Sequence, residues 1–300
     1  MIQGKTNSIE FTAIELSGPL SLCLGPENTF LVIDEFNHEI ILFDSQGKII
    51  WRKGAFGNGA QEFNYPVDCD YGAGYFWIVD RFNSRVCAYD VNGTFIFDFG
   101  KNKNTQGALF DPFGIAVSDD VIFVSDIEHQ KIKSYTIKGE FISEFGQSGP
   151  GKEYYESDFF RNQQVYKKWL SSQTRFSTIE TKFFQSGFSV GNIELPKGIK
   201  IFEDKIIFAD LSGRVQIFSF EGLLLKSYIL NKYPQWVETY LGKIYVSKEF
   251  SNEIEIIEND KIICFAKLEH EVGKFKFVNA NEIIYISPWE KKIYKERINI

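Results

Sequence analysis

Histidine is the residue type in this sequence with the most direct chemical use, because imidazole binds metal ions and transfers protons near neutral pH. The chain has three histidines, His38, His129 and His270. Three imidazoles with water in the fourth position make a catalytic zinc site, so a metal-dependent lyase or hydrolase is one hypothesis. All three are expected in turns or linkers, which favours solvated side chains over ligands. They are therefore weak metal candidates.

Other residue types with ligand or catalytic chemistry indicate less. Asp68 and Asp70 alternate along a predicted strand and could bind calcium together with other oxygens of the inner strands, but no motif supports such a site. The sequence has no His-Glu-x-x-His and no glycine-rich phosphate loop. The four cysteines, none in a Cys-x-x-Cys pair, are expected to be buried thiols in a reducing compartment: Cys23, Cys69, Cys87 and Cys264. The sequence thus predicts no catalytic residue and no cofactor.

The charge of the chain argues against nucleic acid as a partner. Its 300 residues carry a formal net charge of −7 and the pI is about 5.2, whereas a protein that binds phosphates needs clustered lysine and arginine. An RNA-binding face is kept as an alternative, built from basic turn residues that glutamates interrupt: Arg81, Arg85, Lys131 and Arg214. No run of 18 apolar residues and no secretory leader is visible, so a cytoplasmic protein without a membrane span is expected.

The elements that would position these side chains come from an internal repeat. An apolar run, a short turn and a second apolar run recur around four aspartates: Asp34, Asp80, Asp126 and Asp210. Weaker copies are centred on Ser247 and Ser287, and the successive intervals are 46, 46, 84, 37 and 40 residues. A proline opens an apolar run 13 to 15 residues before five of these anchors. Each anchor aspartate is expected to close its own turn by accepting backbone N–H groups two residues on.

Each repeat indicates four short strands joined by tight turns. In the second copy the runs VDCDYG, YFWIVD, RVCAYD and TFIFDFG alternate with turns, and Asn92-Gly93 is a strong hairpin signal because both residues tolerate positive φ. Six such units predict an all-β fold, a six-bladed β-propeller of four-stranded antiparallel blades. The sixth copy ends after its third strand, so residues 8–16 are predicted to supply the outer strand of the last blade and close the ring. Residues 1–300 are predicted to form a single domain.

The interval of 84 residues contains an insertion, residues 147–190, between the third and fourth blades. It carries ten aromatic residues, too many for a disordered linker, and the spacing of its apolar residues predicts that it is partly helical. Two interpretations are open. The insertion either packs on the propeller and plugs its channel, or presents aromatic anchors such as Tyr155, Phe159 and Trp169 to a partner.

The repeat resembles the NHL repeat. The second and third copies carry the resemblance best, with PFGIAV, then VSD, then GEFISEFG in the third, while the last two copies have drifted. The resemblance covers nearly the whole chain except the insertion. It implies a β-propeller whose ligands bind the face shared by the turns after the second strands and the linkers between blades. The surplus of Ile, Phe, Lys and Asn indicates a bacterial origin. The resemblance says little about activity, since one fold hosts many functions.

The absence of a metal-binding or phosphate-binding motif predicts a non-catalytic scaffold that binds a protein or peptide through this face and the insertion. The alternatives are a metal-dependent lyase or hydrolase with a site at the central channel, and an RNA-binding propeller. The sequence leaves the oligomeric state open. The predicted partner-binding residues are Asn37, Arg81, Asn83, Arg85, Lys131, Tyr155, Phe159, Trp169, Arg214 and Trp289.

Overall fold

A computed structural model of the chain describes residues 8–11, 15–146, 193, 196–210, 213–230 and 233–298. These residues form six four-stranded antiparallel sheets, which confirms the predicted six-bladed β-propeller. Blade 1 contains β2 (Pro19–Leu24), β3 (Phe30–Asp34), β4 (Glu39–Phe43) and β5 (Ile49–Lys53). Blade 2 contains β6 (Pro66–Gly72), β7 (Tyr75–Asp80), β8 (Arg85–Tyr89) and β9 (Phe95–Phe99). Blade 3 contains β10 (Pro112–Val117), β11 (Val121–Asp126), β12 (Lys131–Thr136) and β13 (Phe141–Phe145).

The second half of the ring repeats this arrangement after the predicted insertion, residues 147–190, which lies outside the described residues. Blade 4 contains β14 (Pro196–Phe202), β15 (Lys205–Asp210), β16 (Arg214–Ser219) and β17 (Leu224–Ile229). Blade 5 contains β18 (Pro234–Tyr240), β19 (Lys243–Lys248), β20 (Glu253–Glu258) and β21 (Lys261–Lys267). Blade 6 contains β22 (Phe275–Asn279), β23 (Glu282–Ser287) and β24 (Lys292–Arg297). Two short 3₁₀ turns, Pro26–Asn28 and Arg81–Asn83, are the described helical segments, and none of them is long or apolar enough to cross a membrane.

The ring is closed by the N-terminal strand, as the incomplete sixth repeat predicts. Strand β1 (Ser8–Glu10) pairs antiparallel with β24, with Ile9 opposite Lys295. The ammonium of Lys292 lies 2.9 Å from the carboxylate of Glu10 and adds an ion pair across the same junction. The strand is shorter than the predicted span of residues 8–16. The last blade is therefore built from both ends of the described chain.

The core lies between the blades. The first strands of successive blades contact one another around the ring and surround its axis. One apolar cluster joins Trp77 and Val86 of blade 2 to Ile115 and Val124 of blade 3, and all four side chains are buried. Burying a large apolar side chain stabilises the fold by about 1.5–3 kcal/mol, and a single blade has no second layer to provide that burial. Each blade consequently depends on its neighbours.

The anchor aspartates tie each blade to the linker that precedes it. The Asp34 carboxylate accepts the Gly18 N–H at 2.7 Å, and Asp80 accepts the Asn64 N–H at 2.7 Å. Asp126 accepts the Asp111 N–H at 3.0 Å. The sequence predicted that each aspartate would accept N–H groups two residues further along its own turn. The donors instead belong to the linker that precedes the blade. A buried carboxylate that holds the incoming chain fixes where each first strand begins.

Candidate functional site

Polar side chains are concentrated in two places, and the first is the axis of the ring. Six residues in or directly before the first strands of blades 2, 4, 5 and 6 form what we call the axial cluster: Asp68, Asp70, Lys200, Glu238, Lys274 and Lys276. Each is less than a tenth exposed. Three ammonium groups face three carboxylates, so the cluster is neutral as a whole.

Lys274 forms the most completely satisfied part of the axial cluster. Its ammonium contacts the Asp68 carboxylate and donates to Ser21 Oγ and to the Cys69 carbonyl, both at 3.0 Å. It also lies 5.0 Å from the centre of the Trp236 ring. These contacts join strands from blades 1, 2, 5 and 6. Lys274 therefore acts as a cross-link between blades that are distant in sequence.

The other two lysines share the remaining carboxylates. Lys200 lies 3.2 Å from Asp70 and 3.9 Å from Glu238, and Lys276 lies 2.6 Å from Glu238. Burial alone would raise the pKa of the Asp70 and Glu238 carboxyls, but the neighbouring lysines outweigh it and lower the pKa of both. Burial opposes charge on Lys200, yet Asp70 and Glu238 raise its pKa. The charged forms of Asp70, Glu238 and Lys200 are therefore favoured, whereas burial lowers the pKa of Lys276.

The stability of the protein is expected to depend on Glu238 in a way that changes with pH. Because the folded pKa of Glu238 is lowered, the unfolded chain takes up its proton first, and the stabilisation present above the unfolded value of about 4.3 is lost as pH falls through the folded value. In urea unfolding, the difference in free energy between wild type and Glu238→Gln should be largest above about pH 5 and shrink below it. A difference that stays constant to pH 3 would contradict this assignment.

The axial cluster does not fit the calcium site that Asp68 and Asp70 could have formed. Asp68 already accepts the Ile115 N–H at 2.9 Å, and Asp70 accepts the Val117 N–H at 3.1 Å, in addition to their lysines. A divalent cation would have to enter among three ammonium groups. Across the part of the chain that the structure describes, no three His, Cys, Asp or Glu side chains are grouped to hold a metal ion. The cluster is best explained as a structural connection.

The second concentration of polar groups is a pocket between blades 5 and 6, which we call the blade 5/6 pocket. Its volume is about 370 Å³, near the lower end of the range for small-molecule sites. It opens on the face that carries the linkers between blades and the turns after the second strands. It is lined by Phe250, Ser251, Asn252, Glu269, His270, Glu271, Trp289 and Glu290.

His270 and Glu290 form a hydrogen-bonded pair in this pocket. His270 Nδ1 lies 3.0 Å from the Glu290 carboxylate. The Tyr294 ring stacks on the His270 imidazole, with 3.9 Å between centroids and 6° between planes, and its hydroxyl donates to Glu290. When Nδ1–H donates to a carboxylate, the neutral imidazole carries its lone pair on Nε2. In this tautomer Nε2 is the ring nitrogen that can accept a proton.

The two partners come from different segments, the linker between blades 5 and 6 and a turn of blade 6. His270 belongs to the linker between β21 and β22, where the Leu268 N–H donates to the Asn252 carbonyl at 2.7 Å and Asn252 Nδ2 donates to the Leu268 carbonyl at 2.8 Å. Glu290 and Tyr294 come from the turn after β23 and from β24. Linker and turn meet because antiparallel blades place both on one face. His270 and Glu290 are 20 residues apart in the sequence, and the hairpin β22–β23 brings them together.

The environment keeps Glu290 charged. Burial works to raise the pKa of its carboxyl, but the hydrogen bonds from Tyr294 and His270 outweigh it and lower the pKa. Burial and the Glu290 carboxylate raise the pKa of Tyr294, so its hydroxyl stays protonated and remains a donor. A charged carboxylate behind an imidazole stabilises the imidazolium that forms when the base takes a proton.

The other two histidines, His38 and His129, lie away from the blade 5/6 pocket and have structural partners in other blades. His38 Nδ1 accepts the Tyr65 N–H at 3.1 Å. His129 Nδ1 lies 3.1 Å from Lys133 Nζ and 3.3 Å from the Asp126 carboxylate. The three histidines thus belong to blades 1, 3 and 6 and have separate partners.

Several predicted partner-binding residues are engaged within the blades. Arg81, Arg85 and Arg214 are each less than a twentieth exposed and form ion pairs with Asp111, with Asp80 and Asp98, and with Asp210. Asn37 donates to Asp34, Asn83 to Asp80, and Lys131 to the Gly146 carbonyl. Trp289 is 47% exposed and lines the pocket. Tyr155, Phe159 and Trp169 lie outside the described residues.

The comparisons with known proteins identify the fold. No family model and no curated protein matches the chain. Among solved structures it is similar to a streptogramin B lyase, with 16% identity, a TM-score of 0.62, and 98% of each chain covered. It is similar to virginiamycin B lyase from Staphylococcus aureus at 14% identity and a TM-score of 0.61, covering 98% of this chain and 99% of that one. A gluconolactonase from Xanthomonas campestris matches at 8% identity and a TM-score of 0.64, covering 99% of this chain and 91% of that one.

These similarities correct the predicted function. The matched propellers are enzymes, two lyases and a gluconolactonase, so the prediction of a non-catalytic scaffold that binds a protein or peptide is wrong. That prediction relied on finding no metal-binding or phosphate-binding motif in the sequence. At these identities the likeness establishes the fold alone, and the chemistry has to be argued from the residues of this chain.

Proposed function

We propose that this chain is an enzyme of the lyase or hydrolase class that uses His270 as general base and Glu290 as its charged partner. The observation that carries the proposal is the 3.0 Å contact between His270 Nδ1 and the Glu290 carboxylate inside the blade 5/6 pocket. The site lies on the linker face between two blades rather than in the central channel. The axial cluster fills the channel position with ion pairs instead.

The chemistry of the matched enzymes supports this reaction class. Elimination by a lyase begins when a base removes a proton from carbon, and hydrolysis of a lactone needs a base that activates water. A His–Glu pair can perform either step, and the imidazolium can then return the proton to the leaving oxygen. The substrate class that fits both is an ester or lactone. Elimination breaks the bond between the oxygen and its alkyl carbon, and hydrolysis breaks the bond between the oxygen and the carbonyl carbon. Which reaction occurs depends on whether the substrate presents an acidic C–H or only a carbonyl carbon to Nε2.

Replacing His270 by asparagine is expected to abolish turnover of a lactone or ester that the wild type consumes. General acid–base catalysis contributes about 10²–10⁴-fold, so kcat should fall by about that factor while KM changes little. The measurement is proton release in a weakly buffered indicator solution, over a panel of lactones and esters. His129→Asn is the matched control, because it removes a histidine of the same face that lies in blade 3.

Two outcomes would contradict the proposal. One is activity that survives in His270→Asn but is lost in the His129→Asn control. The other is an active wild type whose Glu290→Gln variant retains full kcat, because the charged partner would then have no part in the proton transfer. Circular dichroism of each variant separates loss of chemistry from loss of fold.

Two finer assignments accompany the proposal. We infer that the blades are of the NHL type, supported by the PFGIAV and GEFISEFG stretches in blade 3. We also infer a reducing, cytoplasmic location, supported by four cysteines that are all free thiols, three of them buried.

A further inference from the structure

One wall of the blade 5/6 pocket is aromatic. Phe250 and Trp289 come from the turns after β19 and β23, and their rings are 6.0 Å apart at 72°. They are 44% and 47% exposed. Trp289 directly precedes Glu290, so the aromatic wall and the partner of the base belong to the same turn. The pocket is also lined by His270 and its polar neighbours.

The turn that carries Phe250 differs from its counterparts. Five blades place a residue with left-handed φ immediately before the third strand: His38, Ser84, Gln130, Gly213 and Lys291. In blade 5 the left-handed residue is Phe250, at φ +52°, three positions before β20. A bulky side chain disfavours this conformation, and an exposed aromatic ring loses the stabilisation of burial. An altered turn that holds an exposed ring in an unfavourable conformation at the mouth of a pocket indicates a role in binding.

We propose that Phe250 and Trp289 form a specificity subsite for a planar aromatic group, so that the substrate of the His270 centre carries an aromatic ring. This proposal rests on the proposed function for the choice of reaction, but the subsite itself is a binding property. An aromatic ring that enters the pocket beside Phe250 and Trp289 would cover the exposed faces of both side chains. Aromatic pairs in edge-to-face or offset geometry gain more than their buried area alone provides. The reacting ester or lactone group would then face His270.

The test uses three neutral probes of matched backbone: the amides of N-acetyl-phenylalanine, N-acetyl-cyclohexylalanine and N-acetyl-alanine. Binding is measured by calorimetry and by tryptophan fluorescence. The phenylalanine probe should bind about tenfold more tightly than the alanine probe and more tightly than the cyclohexyl probe, since bulk alone does not supply the ring interaction. Phe250→Leu and Trp289→Leu should each weaken its binding by about five- to tenfold.

The matched control is Phe56→Leu, which removes another exposed aromatic side chain, 66% exposed, from the linker that follows blade 1. It should leave binding of the phenylalanine probe unchanged. Equal binding of the three probes would overturn the proposal, as would unchanged binding in Trp289→Leu with the fold intact.

Failure of the subsite and failure of the proposed function give different results. If aryl and alkyl esters are consumed at equal kcat/KM in a reaction that needs His270, the subsite is wrong and the general base stands. If the phenylalanine probe binds as expected but no ester or lactone is consumed, the subsite stands and the proposed reaction is wrong.

Discussion

Replacing Lys274 by methionine is expected to lower the free energy of unfolding by about 3–5 kcal/mol, because it leaves the buried Asp68 carboxylate without its cation. Asp68 is fully buried, and Lys274 also donates to Ser21 and to the Cys69 carbonyl. These partners come from blades 1 and 2, whereas Lys274 precedes the first strand of blade 6. The loss should therefore weaken the closure of the ring as a whole.

Urea unfolding at pH 7 measures this effect. The double variant Asp68→Asn with Lys274→Met removes both charges and should recover part of the loss, because no unpaired charge is left buried. The control is Lys205→Met, whose partners Glu203 and Asp204 are exposed, and which should change stability by less than about 1 kcal/mol. A Lys274→Met variant as stable as the Lys205→Met control would show that the axial cluster does not hold the ring together.

The blades could be predicted from the sequence because the same pattern of strands and turns repeats along the chain. Two anchors at one period give the number of units, and the shortened sixth copy gives the closure by the N-terminal strand. The register in the drifted copies could not be found in the same way. Pro234 pairs with Lys248, as Pro66 pairs with Asp80, so the anchor position of blade 5 is Lys248 and not Ser247. A lysine in place of the aspartate hides the motif from a search for Asp.

The candidate site was less predictable because its residues do not recur. The sequence predicts that linkers and turns share one face, but binding at that face stays a prediction. Nothing in a single sequence pairs His270 with Glu290 rather than with another turn carboxylate. The lysines of the axial cluster were missed for a different reason. Lys274 and Lys276 alternate with Phe275 and Phe277 in a way that resembles a strand with one solvated face. Only the closed ring shows that the second face of this strand is buried against other first strands.

Inverting both charges of the partly buried Lys248–Glu255 pair in blade 5 is expected to restore most of the stability that either single change removes. Lys248 contacts Glu255, and Lys133 lies 2.6 Å from Asp126 in blade 3. The two pairs occupy one register, since Glu255 is opposite Val246 and Lys133 is opposite Val124. Blade 5 thus carries the blade 3 pair with its charges exchanged.

Lys248→Asp places two carboxylates side by side and Glu255→Lys places two ammonium groups, and each should cost about 3–5 kcal/mol in urea unfolding. The double variant recreates the arrangement of blade 3, so the coupling energy should exceed about 2 kcal/mol. Inverting Lys243 and Glu258, an exposed pair of the same blade at 2.8 Å, should change stability by less than about 1 kcal/mol. If the double Lys248→Asp, Glu255→Lys variant were as unstable as the sum of its singles, the two blades would not share an ion-pair position, and the drift of the fifth repeat would have another cause.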